Sequence, residues 1–403
     1  LPTNHQKALS LLEKLSVKMT HKLNEQINNY NQQGKYQPAI PLAERALVIR
    51  EQILGEEHPL VAQSLNCLAE LYRHSGEYVR AESRYQRALA IQQQTLGEEH
   101  LEVAESLNNL AQLYVAMGDY ARAEPRYRRA LKIRQQLLGE EHVDVAIIWN
   151  NLGELYRQMG DYARAEPLLK RALNMLANHF WGEEHPSVAQ CLNNLATLYL
   201  SQGVSQNQFA KIDSDALPGF GIASVAGVPQ NQYAKIESLY QRASHIWQTT
   251  LGVEHPDFAK NLNNLAELYQ QMGESNRAEP LLRQALTIRQ QTLGDEHPLV
   301  AQNLNQLAEL YQQRGDYTRA ELLFKRALKI WQTTLGSRHP LIAQCLNRLA
   351  ELYQQMGESA DADSLFKQAL EIQNRNRAEE ELTYRFLDNH AQHCQTAIKP
   401  TIT

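Results

Sequence analysis

HPLVAQSLNCLAELYRHSGEYVRAESRYQRALAIQQQTLGEE, residues 58–99, is followed at once by HLEVAESLNNLAQLYVAMGDYARAEPRYRRALKIRQQLLGEE, residues 100–141. The two stretches share one skeleton of His, Leu-Asn, Leu-Ala, Leu-Tyr, Gly, Tyr, Ala-Glu, Ala-Leu and Leu-Gly-Glu-Glu, and the period is 42 residues. Self-similarity at a fixed spacing of about 20–50 residues signals a stacked solenoid, in which each unit buries its apolar face only against its neighbours. Further copies begin at His142, His185, His255, His297 and His339. A degraded copy begins near Leu23, with Ile27, Tyr30, Gly34, Tyr36, Ala39, Ala46 and Leu47 at matching positions. The chain therefore reads as an all-α array of about eight units. Outside it stand an N-terminal helix or cap (1–23) and a C-terminal capping helix and tail (376–403), with the array over 24–375.

Each unit reads as two helices. In residues 58–99, Pro59 suits a first helical position, because its missing N–H would be unpaired there anyway. Helix A is expected to about His74, where Gly76 breaks it; helix B follows from about Tyr78 to Leu96, with Gly97 as the stop. At ~100° per residue, Leu65, Leu68, Ala69 and Tyr72 share a face and should meet Ala81, Tyr85, Ala88 and Leu89. Pro41, Pro125, Pro167 and Pro280 fall inside helix B, so a kink or a late helix start is expected there. Phe180-Trp181 makes the fourth unit one residue longer than its neighbours and reads as an aromatic plug between units.

The fifth unit breaks the pattern: Gly203 and Tyr233 are 30 residues apart. VSQNQFAKIDS at 204–214 is echoed by VPQNQYAKIES at 228–238, which marks a duplicated helix start. The second copy leads into Leu239, Tyr240 and Ala243 and should be the real helix, leaving about 204–231 as an inserted loop.

Composition narrows the function. Forty basic against 45 acidic residues give a net charge of −5, without the basic excess expected of a nucleic-acid surface. No apolar run reaches the ~18 residues needed to cross a membrane. The four cysteines form no CxxC pair, so neither a disulfide framework nor a zinc finger is indicated, and a reducing, cytoplasmic setting is expected. There is no GxSxG, phosphate-binding loop or HExxH, so no enzyme activity and no cofactor is expected. The histidine before each helix A recurs at the same corner of successive units, which suits helix-start hydrogen bonding rather than a shared metal. His390, His393 and Cys394 have spacings that could reach zinc, yet their segment reads mainly as a capping helix.

The Leu/Leu-Ala/Tyr/Gly/Tyr/Ala/Tyr/Ala set resembles the tetratricopeptide repeat (TPR). The 42-residue period with LNNLA, AEPL, RAL and LGEEHP is similar to the TPR domain of kinesin light chains and their prokaryotic relatives. That resemblance implies a right-handed superhelical solenoid of helix-turn-helix repeats with a concave groove lined by helix A. Kinesin light chains also carry a heptad segment before their repeats; residues 1–23 do not contain one, so a motor-subunit role is not expected.

The groove is the expected site of function: a non-catalytic scaffold or adaptor holding an extended peptide or protein segment. Asn66, Asn108, Asn150, Asn193, Asn263, Asn305 and Asn347 recur beside the buried face, and a carboxamide offers both donor and acceptor to a peptide backbone. The other reading is that each asparagine bonds a neighbouring helix and maintains stacking. Arg73, Arg157, Lys260 and Arg348 are the basic groups expected along the groove. The alternative function is a regulatory or assembly module of a larger signalling protein. Asp213, Asp215, Leu217, Pro218 and Phe220 of the insert resemble an acidic pseudo-ligand that could occlude the groove; an unstructured duplication product is the competing reading.

Overall fold

Each unit folds as read. The computed structural model describes residues 2–180, 182–202, 233–337 and 339–375, and these are helical with no strand among the described residues. The helices are α1 (Pro2–Gln32), α2 (Tyr36–Leu54), α3 (Pro59–His74), α4 (Tyr78–Leu96), α5 (Leu101–Ala116), α6 (Tyr120–Leu138), α7 (Val143–Gln158) and α8 (Tyr162–Met175). They continue as α9 (Pro186–Ser201), α10 (Ala234–Thr250), α11 (Pro256–Gln271), α12 (Ser275–Leu293), α13 (Pro298–Gln313), α14 (Tyr317–Thr334) and α15 (Pro340–Met356). A last helix, α16, spans 359–375. Odd-numbered helices are the A helices of the repeats and even-numbered ones the B helices. The boundary read between residues 23 and 24 falls inside α1, which runs on as helix A of the first repeat.

Local signals explain the bounds. All seven repeat histidines cap helix A: Nδ1 accepts the backbone N–H two residues on, at 3.2 Å for His58 and 3.1 Å for His297. This satisfies one of the N–H groups that a helix start leaves unpaired. Asp119, Asp161 and Asp316 do the same for α6, α8 and α14. The inner prolines do not delay the start, either with a side-chain cap (α6, α8) or without one (α2, α12), so the expected late start does not occur. Proline-containing α6 begins at Tyr120, at the repeat position where proline-free α4 begins at Tyr78. The extra residue of the fourth repeat is absorbed at Leu176–Phe180 as a π-helical turn, whose wider ring takes one more residue. The Phe180-Trp181 plug lies outside the described side chains.

Within a repeat, Leu65, Leu68, Ala69 and Tyr72 are buried against Ala81, Tyr85 and Ala88, with Leu89 half-buried. The fully buried alanines let the helix axes approach closely. Between repeats, the tyrosine of helix A donates to a glutamate on the preceding helix B: Tyr114 to Glu82 at 2.9 Å, Tyr156 to Glu124 at 2.9 Å, Tyr269 to Glu237 at 2.8 Å, Tyr353 to Glu321 at 2.8 Å. Arginines cover several of these rings, as Arg122 does Tyr114 at 4.1 Å. The recurring glutamates of the Ala-Glu pairs are therefore inter-repeat acceptors. Arg50, Arg134 and Arg289, on the B helices α2, α6 and α12, each donate to the carbonyl of the second helical residue of the next helix A, Leu60, Asp144 and Leu299.

The superhelix also closes on itself. The A–B turns of the first three repeats lie against the helix A starts of the last three. A Cβ on Gly34, Gly76 or Gly118 would stand 2.5, 2.8 or 2.9 Å from Cδ of Pro256, Pro298 or Pro340 respectively. His297 Nε2 is 2.7 Å from the His74 carbonyl, and His339 Nε2 is 3.3 Å from that of Ala116. α2 and α12 touch as well. This seam joins successive turns, so the concave face becomes the wall of a channel.

A concave channel as the candidate functional site

The A helices line the channel. Side chains at spacings of four and three, such as Gln63, Cys67 and Glu70 on α3 or Glu105, Asn109 and Gln112 on α5, remain open to it while the rest of each helix is buried. The same column continues as Asn151 and Glu154, Asn264 and Glu267, Gln306 and Glu309, and Arg348 and Glu351. At the N-terminal mouth, Lys14, Val17, Lys18 and Lys22 of α1 face Pro59, Leu60 and Gln63 across a cleft of about 1090 Å³.

The asparagines stand beside this column: Asn66 is three residues after Gln63 and four before Glu70, adjacent to both on the helix surface. They form a ladder across repeats. Asn66 Nδ2 donates to Ser106 Oγ at 2.7 Å; Asn108 Oδ1 accepts from Asn151 at 3.0 Å, and Asn150 Oδ1 from Asn194 at 3.1 Å. Asn193 Oδ1 accepts from Asn264 at 2.9 Å, and Asn263 Oδ1 from Asn303. Asn305 donates to Glu309 on its own helix at 3.0 Å, and Asn347 is half-buried in the last full repeat. One polar atom is left without a protein partner at four rungs: Asn66 Oδ1, Asn193 Nδ2, Asn263 Nδ2 and Asn305 Oδ1.

Three of the four basic residues are engaged within the protein. Arg157 grips Glu154 through two bonds of 2.7 and 2.8 Å. Burial alone would raise the Glu154 carboxyl, but Arg157 overrides it and holds the acid down at about 2. Arg348 lies 3.4 Å from Glu309 and 3.1 Å from Glu351. Arg73 is 2.7 Å from His74 and 4.0 Å from Glu70. Lys260 is half-buried on the wall of the channel. Burial raises the carboxyls of Glu267 and Glu309 despite nearby arginines, the behaviour of acids crowded by a surrounding wall.

Sequence reasoning missed the partners at the next position, Asn151, Asn194 and Asn264, and the donors Asn303 and Arg289. The 42-residue spacing of Arg50, Gln92 and Arg134 was the signal available for the arginine pins. Cys67, Cys191 and Cys345 are free thiols. His390, His393 and Cys394, and the insert residues Asp213 to Phe220, lie outside the described residues. No group of three metal-ligating side chains converges among the described residues, and no described helix is long and apolar enough to cross a membrane.

The tetratricopeptide repeat family profile matches residues 20–81, 60–136, 115–178, 146–205, 221–291, 257–333 and 299–375. No curated protein sequence matches the chain. Among solved structures, BtubC (BKLC) from P. vanneervenii is 26% identical, covering 62% of this chain and 91% of its own, with a TM-score of 0.44. A Rap protein complexed with Competence and Sporulation Factor is 13% identical, covering 90% of this chain and 99% of its own, at a TM-score of 0.55. The Rap conjugation gene regulator of the plasmid pLS20, in complex with the Phr* peptide, is 13% identical over 90% of this chain and 97% of its own, at 0.54. At that identity the two Rap proteins share a fold with this chain and no more is carried over. With seven matches that together span nearly the whole repeat array, the chain belongs to the tetratricopeptide repeat family.

Proposed function

We propose that this protein is a non-catalytic interaction scaffold that holds an extended segment of a peptide or protein partner in its concave channel. The observation carrying this reading is the column of polar side chains open to the channel along the A helices, Gln63, Asn109, Gln112, Asn151, Asn264 and Gln306 among them. The ladder beside it keeps one unpaired atom at Asn66, Asn193, Asn263 and Asn305, each atom itself buried, so a partner reaches it only when the side chain turns toward the channel. A peptide backbone offers the complementary groups at any sequence. The carboxylates of Glu105 and Glu267, which have no ion-pair partner among the described residues, favour a segment bearing basic side chains. The family and the fold support the reading: two proteins of similar fold were solved with a bound factor or peptide.

The test is a peptide-display selection against the purified chain, followed by titration of the selected peptide into an Asn193→Ala/Asn263→Ala variant. Two lost neutral hydrogen bonds of about 1 kcal/mol each should weaken binding roughly 30-fold. Helicity checked at the titration temperature controls for the stacking bonds lost with the same side chains. Unchanged affinity in a folded variant would remove the asparagines from the site.

A further inference from the structure

Sequence gives seven equivalent histidines, but the fold divides them. His255, His297 and His339, at the starts of α11, α13 and α15, are only 8%, 5% and 7% exposed. Those of the second to fifth repeats, His58, His100, His142 and His185, are half-buried. The three buried rings are the ones at the seam between superhelical turns, packed with Pro256, Pro298 and Pro340 against Gly34, Gly76 and Gly118.

Their bonding defines a protonation state. In His297 and His339, Nδ1 accepts a backbone N–H to cap its own helix, and Nε2 faces a carbonyl of the other turn. Nε2 must therefore carry the hydrogen and donate it, and the neutral ring uses both nitrogens. A second proton would occupy Nδ1, expel the capping N–H and place a cation at a helix N-terminus, where the dipole opposes it.

We propose that this seam is a releasable latch: closed, it walls the side of the concave channel among the described residues; parted, it admits or releases the segment held inside. The proposal rests on the groove-binding reading for its purpose but not for its mechanics. A segment with free ends can thread a closed channel, whereas a loop between two folded domains needs the latch to part.

Acid is the natural release. Burial depresses His297 and His339 from 6.5 to about 4; at His297 Arg289 and His74 also oppose the charge, while the His74 carbonyl favours it. For His339 the Ala116 carbonyl is the opposing influence. Burial lowers His255 too, against the pull of Asp257. Between pH 6.5 and about 4 the parted seam binds more protons than the closed one. Closure is thus strongest above that window and is lost as pH falls through it. At pH 5 the closure constant should fall roughly thirtyfold for each of His297 and His339.

Small-angle scattering of the full chain without ligand tests the latch. At pH 7.5 the wild type should be compact, and its radius of gyration should rise toward pH 5 with helicity retained. His297→Asn/His339→Asn keeps good helix caps but loses the cross-turn donor and the titration, so it should be expanded already at pH 7.5. His100→Asn/His142→Asn, the same exchange away from the seam, should stay compact. A compact seam variant, or equal expansion of both variants, overturns the proposal. A second pair reads the seam sterically. Gly118 and Gly160 occupy the same A–B turn position with φ of 75° and 77°, but only at Gly118 would a Cβ meet the other turn, at 2.9 Å from Pro340. Gly118→Ala should expand the particle and Gly160→Ala should not; identical behaviour contradicts the latch. Because no ligand is present, failure here leaves the groove reading standing, and a failed peptide titration leaves the latch standing.

Discussion

Replacing Trp247 with alanine should lower the free energy of the first urea-unfolding transition by about 3–5 kcal/mol, the usual cost of emptying a fully buried aromatic site. Trp247 is 1% exposed on α10, the B helix that resumes the array after the insertion. The indole joins a core cluster running from Ile27 to Leu310, so its loss opens a cavity in the repeat that links both halves. In a solenoid each repeat is stabilised through its neighbours. The variant should therefore melt in two steps, with the central repeats first. A single transition within about 1 kcal/mol of wild type would show that α10 is not integrated into the core.

Asn303→Leu should cost about 2–4 kcal/mol, by the combined loss of one hydrogen bond to a charged group and one neutral bond. Arg289 is 1% exposed, and burial pulls its guanidinium down to about 9 against the opposing effect of Asp257, so it stays charged at neutral pH. Its Nη1 donates to Asn303 Oδ1 at 2.7 Å and to the Leu299 carbonyl at 2.8 Å, with Gln302 at 3.3 Å. Asn303 in turn donates to Asn263, so it ties a buried cation to the ladder. Leucine strands that cation. Arg289→Met combined with Asn303→Leu removes both partners instead, and because replacing a buried polar pair by apolar side chains of similar volume is often neutral or stabilising, this double variant should cost less than about 1 kcal/mol. Urea denaturation of both variants checks the contrast; equal losses would mean that the charge is not what Asn303 serves.

The helix pairs were legible because their signals are local and repeat: a histidine with a capping nitrogen, Leu-Ala-x-Leu-Tyr on one face, a glycine at each turn. Helix bounds such as Pro59–His74 and Tyr78–Leu96 follow from those residues alone. The seam was not legible. Gly118 and Gly160 look identical in sequence, and only the accumulated rotation of the repeats brings Pro340 to one and nothing to the other. Nor could the ladder's double nature be read, since whether Asn193 faces a ligand or a neighbour depends on how far Asn261 and Asn264 stand across the stack, at 3.3 and 2.9 Å. The prolines misled for a related reason. Their cost is local, while the buried alanines that hold each B helix in register pack across the repeat.

The central claim is that the channel holds the partner. The direct measurement is photo-crosslinking of a display-selected peptide to the wild-type chain, with the attachment sites mapped by mass spectrometry. Crosslinks to Gln63, Cys67, Gln112, Asn151 and Glu267 on the A helices are the expected result. Crosslinks confined to exposed B-helix positions such as Gln86, Lys132 and Arg326 would contradict it and place binding on the outer face.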